Sequence, residues 1–120
     1  MSPEALTAQI IQILDEKKAH DIVEIDLTNK SSLAASLVIA TGTSQRHLQS
    51  LTDYLKTHLS QQKQKPIAIE GANGSNWMVL DFGDVIVHLF TEESRAHYNL
   101  EKIWNFPLPH RKEQIDASSS

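Results

Sequence analysis

A near-continuous apolar run, SLVIATG at residues 36–42, restricts the fold of this chain more than any other feature. A strand without polar alternation belongs in the interior of a sheet, where both of its faces are covered. The next segment predicts a helix with Thr43 or Ser44 as its N-cap. Its inward stripe is Leu48, Leu51, Leu55 and Leu59. A buried strand that leads directly into an amphipathic helix indicates the α/β class.

Three further segments extend this architecture. Ser2 and Pro3 supply an N-cap and a first helical residue for an opening helix, whose apolar stripe is Leu6, Ile10, Ile13 and Leu14. DIVEIDL at 21–27 alternates polar and apolar residues, which predicts a strand exposed on one side. Pro66 opens a third strand, PIAIE, which ends at Glu70.

Composition limits the class of protein. The chain has 120 residues, a net charge of −4 and no cysteine, which fits one small domain and excludes disulfides and thiolate metal sites. No Lys/Arg-rich run is present, so binding to a phosphate backbone would need a local basic patch. The N-terminal segment lacks a signal-peptide pattern, and no stretch approaches the roughly 18 apolar residues of a membrane span. We expect a soluble cytoplasmic protein with no membrane partner.

The segment WMVLDFGDVIVHLF at 77–90 predicts a β-hairpin with Gly83 and Asp84 at its turn. One face of that hairpin is then entirely apolar and belongs in the core: Met78, Leu80, Phe82, Val85, Val87 and Leu89. The opposite face is mixed and pairs Trp77 with Phe90, Val79 with His88, and Asp81 with Ile86. A three-residue turn would mix the two sets, so the clean separation favours the two-residue turn.

A third helix follows the hairpin. Thr91 is its predicted cap, Pro107 ends it, and its inward stripe is Ala96, Leu100, Ile103 and Trp104. Tyr98 lies off that stripe, on a face shared with Arg95 and Lys102. Trp, Tyr and Arg are the residue types that dominate binding interfaces, so the mixed hairpin face and Tyr98 together predict a contact surface. The structural alternative is that these are ordinary half-buried aromatic side chains.

Motifs that would indicate catalysis are weak. DFG at 81–83 matches a kinase metal-binding tripeptide, but the glycine-rich loop and catalytic loop that kinases need are missing, which favours a hairpin turn. TGTSQRH at 41–47 could bind an anion at a helix N-terminus, and a capped helix start is the plain alternative. Gly42 in it is expected to need a backbone conformation that β-branched residues resist. Nucleotidyl transfer would need paired carboxylates, and the next strand supplies only Glu70.

The six histidines form no H-x-x-x-H or H-E-x-x-H pair, so no zinc site is predicted. His88 near Asp81 could act as a general base, but no nucleophile motif accompanies it and a satisfied sheet histidine is the alternative. We therefore predict no catalytic residue, no cofactor and no metal.

The order and spacing of several motifs closely resemble the ribosomal silencing factor family, also called RsfS or Iojap. These motifs are ATGTSQRH, EG before the hairpin, W-x-V-x-D-x-GDV-x-VH and EESR-x-x-Y-x-LEK-x-W. The resemblance covers roughly residues 6–104. It implies a silencing-factor domain at 1–105 with a flexible tail at 106–120. The implied fold is a mixed sheet flanked by helices, similar to a nucleotidyltransferase core without its catalytic residues.

The resemblance also implies a function. Members of this family bind the large ribosomal subunit through the ribosomal protein of its intersubunit face that is numbered fourteen. They block joining of the small subunit and so inhibit translation, without recognising a nucleic-acid sequence, and the family implies homodimers. The family's surface motif and the hairpin register together predict seven partner-binding residues: Trp77, Val79, Asp81, His88, Phe90, Tyr98 and Lys102. The rival hypothesis is a small nucleotide-binding or nucleotidyl-transferring enzyme that uses the 42–44 loop with Asp81 or Asp84.

Overall fold

A five-stranded mixed sheet forms the centre of the computed structural model, which describes residues 2–28, 34–71 and 76–95. The elements in chain order are α1 (Pro3–Glu16), β1 (His20–Asp26), β2 (Ser36–Gly42), α2 (Gln45–Ser60), β3 (Ala68–Glu70), β4 (Trp77–Asp81), β5 (Val85–Thr91) and α3 (Glu92–Arg95). The inward stripe predicted for the third helix beyond Arg95, the side chains of Tyr98 and Lys102, and the predicted tail at 106–120 lie outside the described residues.

The strand order is β1-β2-β5-β4-β3, with β2 and β5 parallel and the other neighbours antiparallel. Every residue of β2 is buried, as its apolar run predicts, because the strand lies between two others and both of its faces are covered. Strand β1 lies at the edge of the sheet. Glu24 and Asp26 on it are exposed, as the alternation of polar and apolar residues predicts. The predicted α/β class with a mixed sheet is confirmed.

Both long helices begin at the predicted caps. The Ser2 side chain accepts a hydrogen bond from the Ala5 N–H at 3.1 Å, and Pro3 is the first helical residue of α1. Of the two candidates for α2, Ser44 is the cap, and its side chain accepts from the His47 N–H at 3.0 Å. Each bond satisfies a backbone donor that has no partner within the helix.

Lysines occupy a left-handed position just after each long helix. After α1, Lys18 has φ of +70°, and the Ala19 N–H donates to the Leu14 carbonyl at 2.9 Å, which closes a Schellman turn. Lys63 has φ of +63° after α2. Glycine is the usual residue in this conformation, and another L-residue there costs about 1 kcal/mol. The sequence thus keeps a charged side chain at two positions where glycine would be more stable.

The first core cluster fills the space between the sheet and the two long helices. The predicted apolar stripes of α1 and α2 are buried in it, and so are the six residues of the predicted apolar hairpin face. The hairpin pairs Trp77 with Phe90 and Leu80 with Val87, which confirms the two-residue turn. Gly83 in that turn has φ of +91°, a conformation that favours glycine.

A second core cluster lies on the opposite face of the sheet. Its buried members are Leu27, Ala34, Leu37, Ile39, Val79, Ile86 and Phe90, and Val23, Ile25 and Trp77 pack against it. The strands β2, β4 and β5 therefore bury both of their faces. None of the helices within residues 2–28, 34–71 and 76–95 is long and apolar enough to cross a membrane.

Candidate functional site

Trp77 is the first residue of β4, and its position depends on a close backbone approach. Gly71, in the predicted EG motif, has φ of +103°, and a Cβ atom on it would lie 2.5 Å from the Trp77 carbonyl oxygen. Real side chains do not tolerate that distance, so only glycine lets the chain pass here. The EG motif thus has a physical role, because Gly71 allows the backbone to pass close to the start of β4.

Three rings form a row on the second face of the sheet. The Trp77 Nε1–H donates to His88 Nδ1 at 3.4 Å, and the His88 ring stacks on Phe90 with centroids 6.0 Å apart and an interplanar angle of 19°. Because Nδ1 accepts this bond, we assign the neutral His88 tautomer with its proton on Nε2. His88 is therefore a packed sheet residue, and its partners among the described rings are Trp77 and Phe90.

The structure changes what the predicted partner-binding residues can do. Val79, Asp81, His88 and Phe90 are all completely buried, whereas Trp77 is partly exposed. The expectation that the mixed hairpin face lies open is wrong for these four side chains. The reason is that the neighbouring strand β2 adds apolar residues to the same face and so completes the second core cluster. Tyr98 and Lys102 lie outside the described residues.

Asp81 holds the hairpin turn. Its Oδ1 atom accepts a hydrogen bond from the Gly83 N–H at 2.8 Å, the bond by which an aspartate stabilises a turn two residues on. Asp81 and Asp84 lie at the end of the sheet where β2 begins, because the Asp84 carbonyl accepts from the Ser36 N–H. This turn explains the DFG sequence without any metal chemistry.

The site required by the enzyme hypothesis is not assembled. Gly42 pairs with Thr91 at one end of β2, while Asp81 pairs with Ile86 near the other. Six residues of strand separate the two ends, which is about 20 Å. The 42–44 loop therefore cannot share one substrate phosphate with Asp81 or Asp84. Within the described part of the chain, no group of three His, Asp or Glu side chains could hold a metal ion.

Two backbone donors at the start of α2 have side-chain partners. The Thr43 N–H donates to His47 Nδ1 at 3.0 Å, and the His47 N–H donates to the Ser44 hydroxyl. These are donors that a phosphate at a helix N-terminus would use. The capped helix start, the plain alternative for TGTSQRH, is the arrangement that the structure contains.

Gly42 is needed for space. Among the described glycines, left-handed φ occurs at Gly71 and Gly83, so the expected special backbone conformation at Gly42 is wrong. A Cβ atom on Gly42 would instead lie 2.8 Å from Leu48 Cδ2 and 3.1 Å from His47 Nδ1. The constraint comes from the first turn of α2, which packs onto the end of β2.

We expect Gly42→Val to lower the free energy of unfolding by about 2–3 kcal/mol, because the added methyl groups overlap the Leu48 and His47 side chains. Thermal unfolding of wild type, Gly42→Ala and Gly42→Val measures this, and the loss should grow with the size of the side chain. A valine variant as stable as wild type would show that this junction has room for a ligand.

Comparison with known proteins bears on the function of this fold. The sequence profile of a family described as "Ribosomal silencing factor during starvation" matches residues 1–120. This chain belongs to the ribosomal silencing factor family. The ribosomal silencing factor of Zymomonas mobilis is 38% identical over 104 residues, covering 87% of this chain and 78% of that protein. That of Haemophilus influenzae is 37% identical over 100 residues, covering 83% and 98% respectively.

Solved structures agree with this silencing-factor assignment. A crystal structure of a Chromobacterium violaceum protein superposes with a TM-score of 0.81 at 28% identity and covers 91% of each chain. A crystal structure from Bacillus halodurans gives a TM-score of 0.76 at 32% identity and covers 84% of this chain and 94% of that one. The chain thus shares its overall fold with both of these crystal structures.

Proposed function

We propose that this protein inhibits translation by binding the large ribosomal subunit and blocking its joining with the small subunit. The contact is with the ribosomal protein numbered fourteen on the intersubunit face. The observation that carries the proposal is the family match over residues 1–120. A mouse relative, 34% identical over 98 residues, is named for the mitochondrial assembly of the ribosomal large subunit, which supports this subunit as the partner. This chain covers 43% of the mouse protein.

In this proposal, Trp77 makes the contact and its buried neighbours position it. Trp77 is partly exposed at the edge of the second core cluster, and its indole donates to His88, whose ring stacks on Phe90. A large aromatic group in a fixed orientation is the usual energetic centre of an interface, because little side-chain entropy is lost on binding. Val79 and Asp81 support the same strand from within the sheet. Tyr98 and Lys102 stay predicted contacts.

The proposed mechanism is steric and needs no catalytic group, cofactor or metal. The separation of the 42–44 loop from Asp81 and Asp84 favours it over the nucleotidyl-transfer hypothesis. A bound protein on the intersubunit face occupies surface that the small subunit needs, so subunit joining falls in proportion to occupancy. The cytoplasmic location remains a prediction from the composition of the chain. The homodimer remains a prediction from the family resemblance.

The test is sedimentation of the protein with purified ribosomal subunits and no added nucleotide. We expect it to sediment with large subunits and not with small ones, and to lower the fraction of joined ribosomes when both subunits are mixed. It should also bind the isolated ribosomal protein numbered fourteen.

Two results would contradict the proposal. One is that large subunits sediment without the protein. The other is that the protein binds them but leaves joining unchanged. Thermal stabilisation by a nucleoside triphosphate, in the absence of ribosomes, would instead favour the enzyme hypothesis.

A further inference from the structure

Three basic side chains from two distant segments meet in one open cleft. Lys17 and Lys18 follow α1, and Arg46 lies in the first turn of α2. They line the cleft together with Thr43, Ser44 and Tyr54, and one acidic residue, Glu16, lines it as well, so that cations outnumber anions by three to one. The protein as a whole has a net charge of −4, so this basic cleft is a local exception to its overall charge.

The cleft is held open by fixed contacts. The His47 ring joins its two walls, because Nδ1 accepts from the Thr43 N–H at 3.0 Å and Nε2 donates to the Lys17 carbonyl at 2.9 Å. This pair of bonds requires the neutral tautomer with the proton on Nε2. The Lys17 ammonium lies 4.0 Å from the centre of the Tyr54 ring, a cation–π contact that orients it.

Lys18 has a left-handed backbone conformation that one lysine outside the cleft, Lys63, shares. It is exposed and has φ of +70°, where a glycine would relieve the backbone. This conformation does not by itself indicate a function, because Lys63 shares it; Lys18 is distinguished by its place in the cleft beside Lys17 and Arg46. Lys63 occupies the same position after α2, where the Gln64 N–H donates to the Leu59 carbonyl at 2.8 Å. It lies beyond the far end of a 16-residue helix, about 24 Å away, and so provides a natural control.

The basic cleft and Trp77 lie at the same end of the sheet. The Gln45 side chain, in the first turn of α2, donates to the Asn76 side chain at 3.0 Å. Asn76 precedes Trp77 directly, and its carbonyl accepts from the Ser94 hydroxyl at 2.6 Å. Trp77 lies on the second-cluster side of this end of the sheet and the cleft lies on its helix side, so a subunit surface that reaches around the end can contact both.

We propose that the basic cleft binds the phosphodiester backbone of ribosomal RNA beside the ribosomal protein that Trp77 contacts. This inference rests on the proposed function. Three cations around an open cleft suit two or three phosphates, and such contacts fix orientation without reading sequence. The long side chains of lysine and arginine can follow an irregular backbone, which a single-stranded or duplex RNA surface presents. The contact would add affinity for the assembled subunit beyond that for the isolated ribosomal protein.

The first experiment compares two triple variants that lose the same charge. Lys17→Gln, Lys18→Gln and Arg46→Gln together form the cleft variant. The matched control neutralises three exposed lysines elsewhere on the protein: Lys56→Gln, Lys63→Gln and Lys65→Gln. Binding to large subunits is measured over a series of salt concentrations, and binding to the isolated ribosomal protein numbered fourteen is measured at one of them.

We expect the cleft variant to bind large subunits about tenfold more weakly than wild type, or weaker still, at 0.1 M salt. The slope of log affinity against log salt concentration should fall in magnitude by about two. The control variant should keep the wild-type slope. Both variants should bind the isolated ribosomal protein as wild type does. An equal loss in both variants, or a cleft variant with an unchanged slope, would overturn the inference and leave the proposed function intact.

A second comparison separates binding from stability. Lys18→Gly and Lys63→Gly should each raise the melting temperature by about 3–5 °C, because glycine relieves the same left-handed position. Only Lys18→Gly should weaken binding to large subunits, by about threefold, with a salt slope smaller by about one. Equal binding by both variants would contradict a role for Lys18.

Two further outcomes would overturn the assignment of the cleft to ribosomal RNA. Failure of the wild-type protein to bind either large subunits or the isolated ribosomal protein would refute the proposed function, and with it this inference. The other outcome has two parts: 1 mM of a nucleoside triphosphate raises the melting temperature of wild type but not of the cleft variant, and both proteins bind large subunits with the same salt slope. This result would identify the cleft as a site for free phosphate compounds and overturn the RNA assignment.

Discussion

Leu80→Asp is expected to abolish folding. Leu80 is completely buried in the first core cluster, between Val87 on β5 and Ile69 on β3. An unpaired carboxylate at that site would lose its hydration without gaining a partner, which costs at least several kcal/mol. The whole free energy of unfolding of a domain this size is about 5–15 kcal/mol. Circular dichroism and gel filtration of the purified variant should show an unfolded or aggregated chain.

The control for this substitution is the same change at an exposed position. Ile67 precedes β3 and is 69% exposed, so Ile67→Asp should change the free energy of unfolding by no more than about 0.5 kcal/mol. Leu80→Met, which conserves volume, should cost less than about 1.5 kcal/mol. If Leu80→Asp gave a soluble protein with the wild-type melting temperature, the assignment of this hairpin face to the core would be wrong.

Replacing Trp77 and Tyr98 together with alanine should weaken binding to large subunits by at least about thirtyfold. Aromatic residues at the centre of an interface commonly contribute about 2 kcal/mol or more each, and their effects are not additive. Because Trp77 packs against the second core cluster, we also expect the free energy of unfolding to fall by about 2 kcal/mol. Binding is measured by sedimentation with purified subunits at a temperature where the melting curve shows the variant to be folded.

Ile39→Ala is the control that separates these two effects. Ile39 is completely buried in the same cluster, so its truncation should cost about 2–5 kcal/mol without changing the exposed surface. This variant should bind large subunits as wild type does. Wild-type binding by a folded Trp77 and Tyr98 double variant would place the ribosomal contact on another face. A double variant that unfolds at the assay temperature would make Trp77 and Tyr98 core residues, contrary to the proposal.

Short-range periodicity made much of this fold predictable. The alternation at 77–90 gave the hairpin register, since a shift by one residue would have moved Leu80 and Val87 out of the core. The continuous apolar run at 36–42 indicated a strand buried on both faces, and the structure contains it with the same bounds. The caps at Ser2 and Ser44 follow from a local bond between a hydroxyl and a backbone N–H three residues later. Each of these features depends on neighbours along the chain.

The candidate site was less predictable, because the mixed face of the hairpin depends on other strands. From the sequence, His88 and Asp81 made that face look suited to a partner. In the structure, β2 lies beside β5 and places Leu37 and Ile39 on the same face, so the polar pair is buried among apolar neighbours. A polar side chain can be buried when it has hydrogen-bond partners, and His88 accepts a bond from Trp77. No pattern within 77–90 could indicate which strand would lie alongside.

The sequence by itself determined the family and, within the described residues, the helices and strands, the hairpin register and the apolar faces of α1, α2 and the hairpin. All of these depend on residue types at short, regular spacings. Only the tertiary structure decided which chemical groups meet. The direction and register of its strands place Gly42 and Asp81 near opposite ends of the sheet, so the residues of the enzyme hypothesis do not share one site. The same packing brings the Lys17 carbonyl to His47 across 30 residues and so assembles a basic cleft that no run of charge in the sequence predicts. Such contacts depend on how the elements pack in three dimensions, and local spacing carries no information about that.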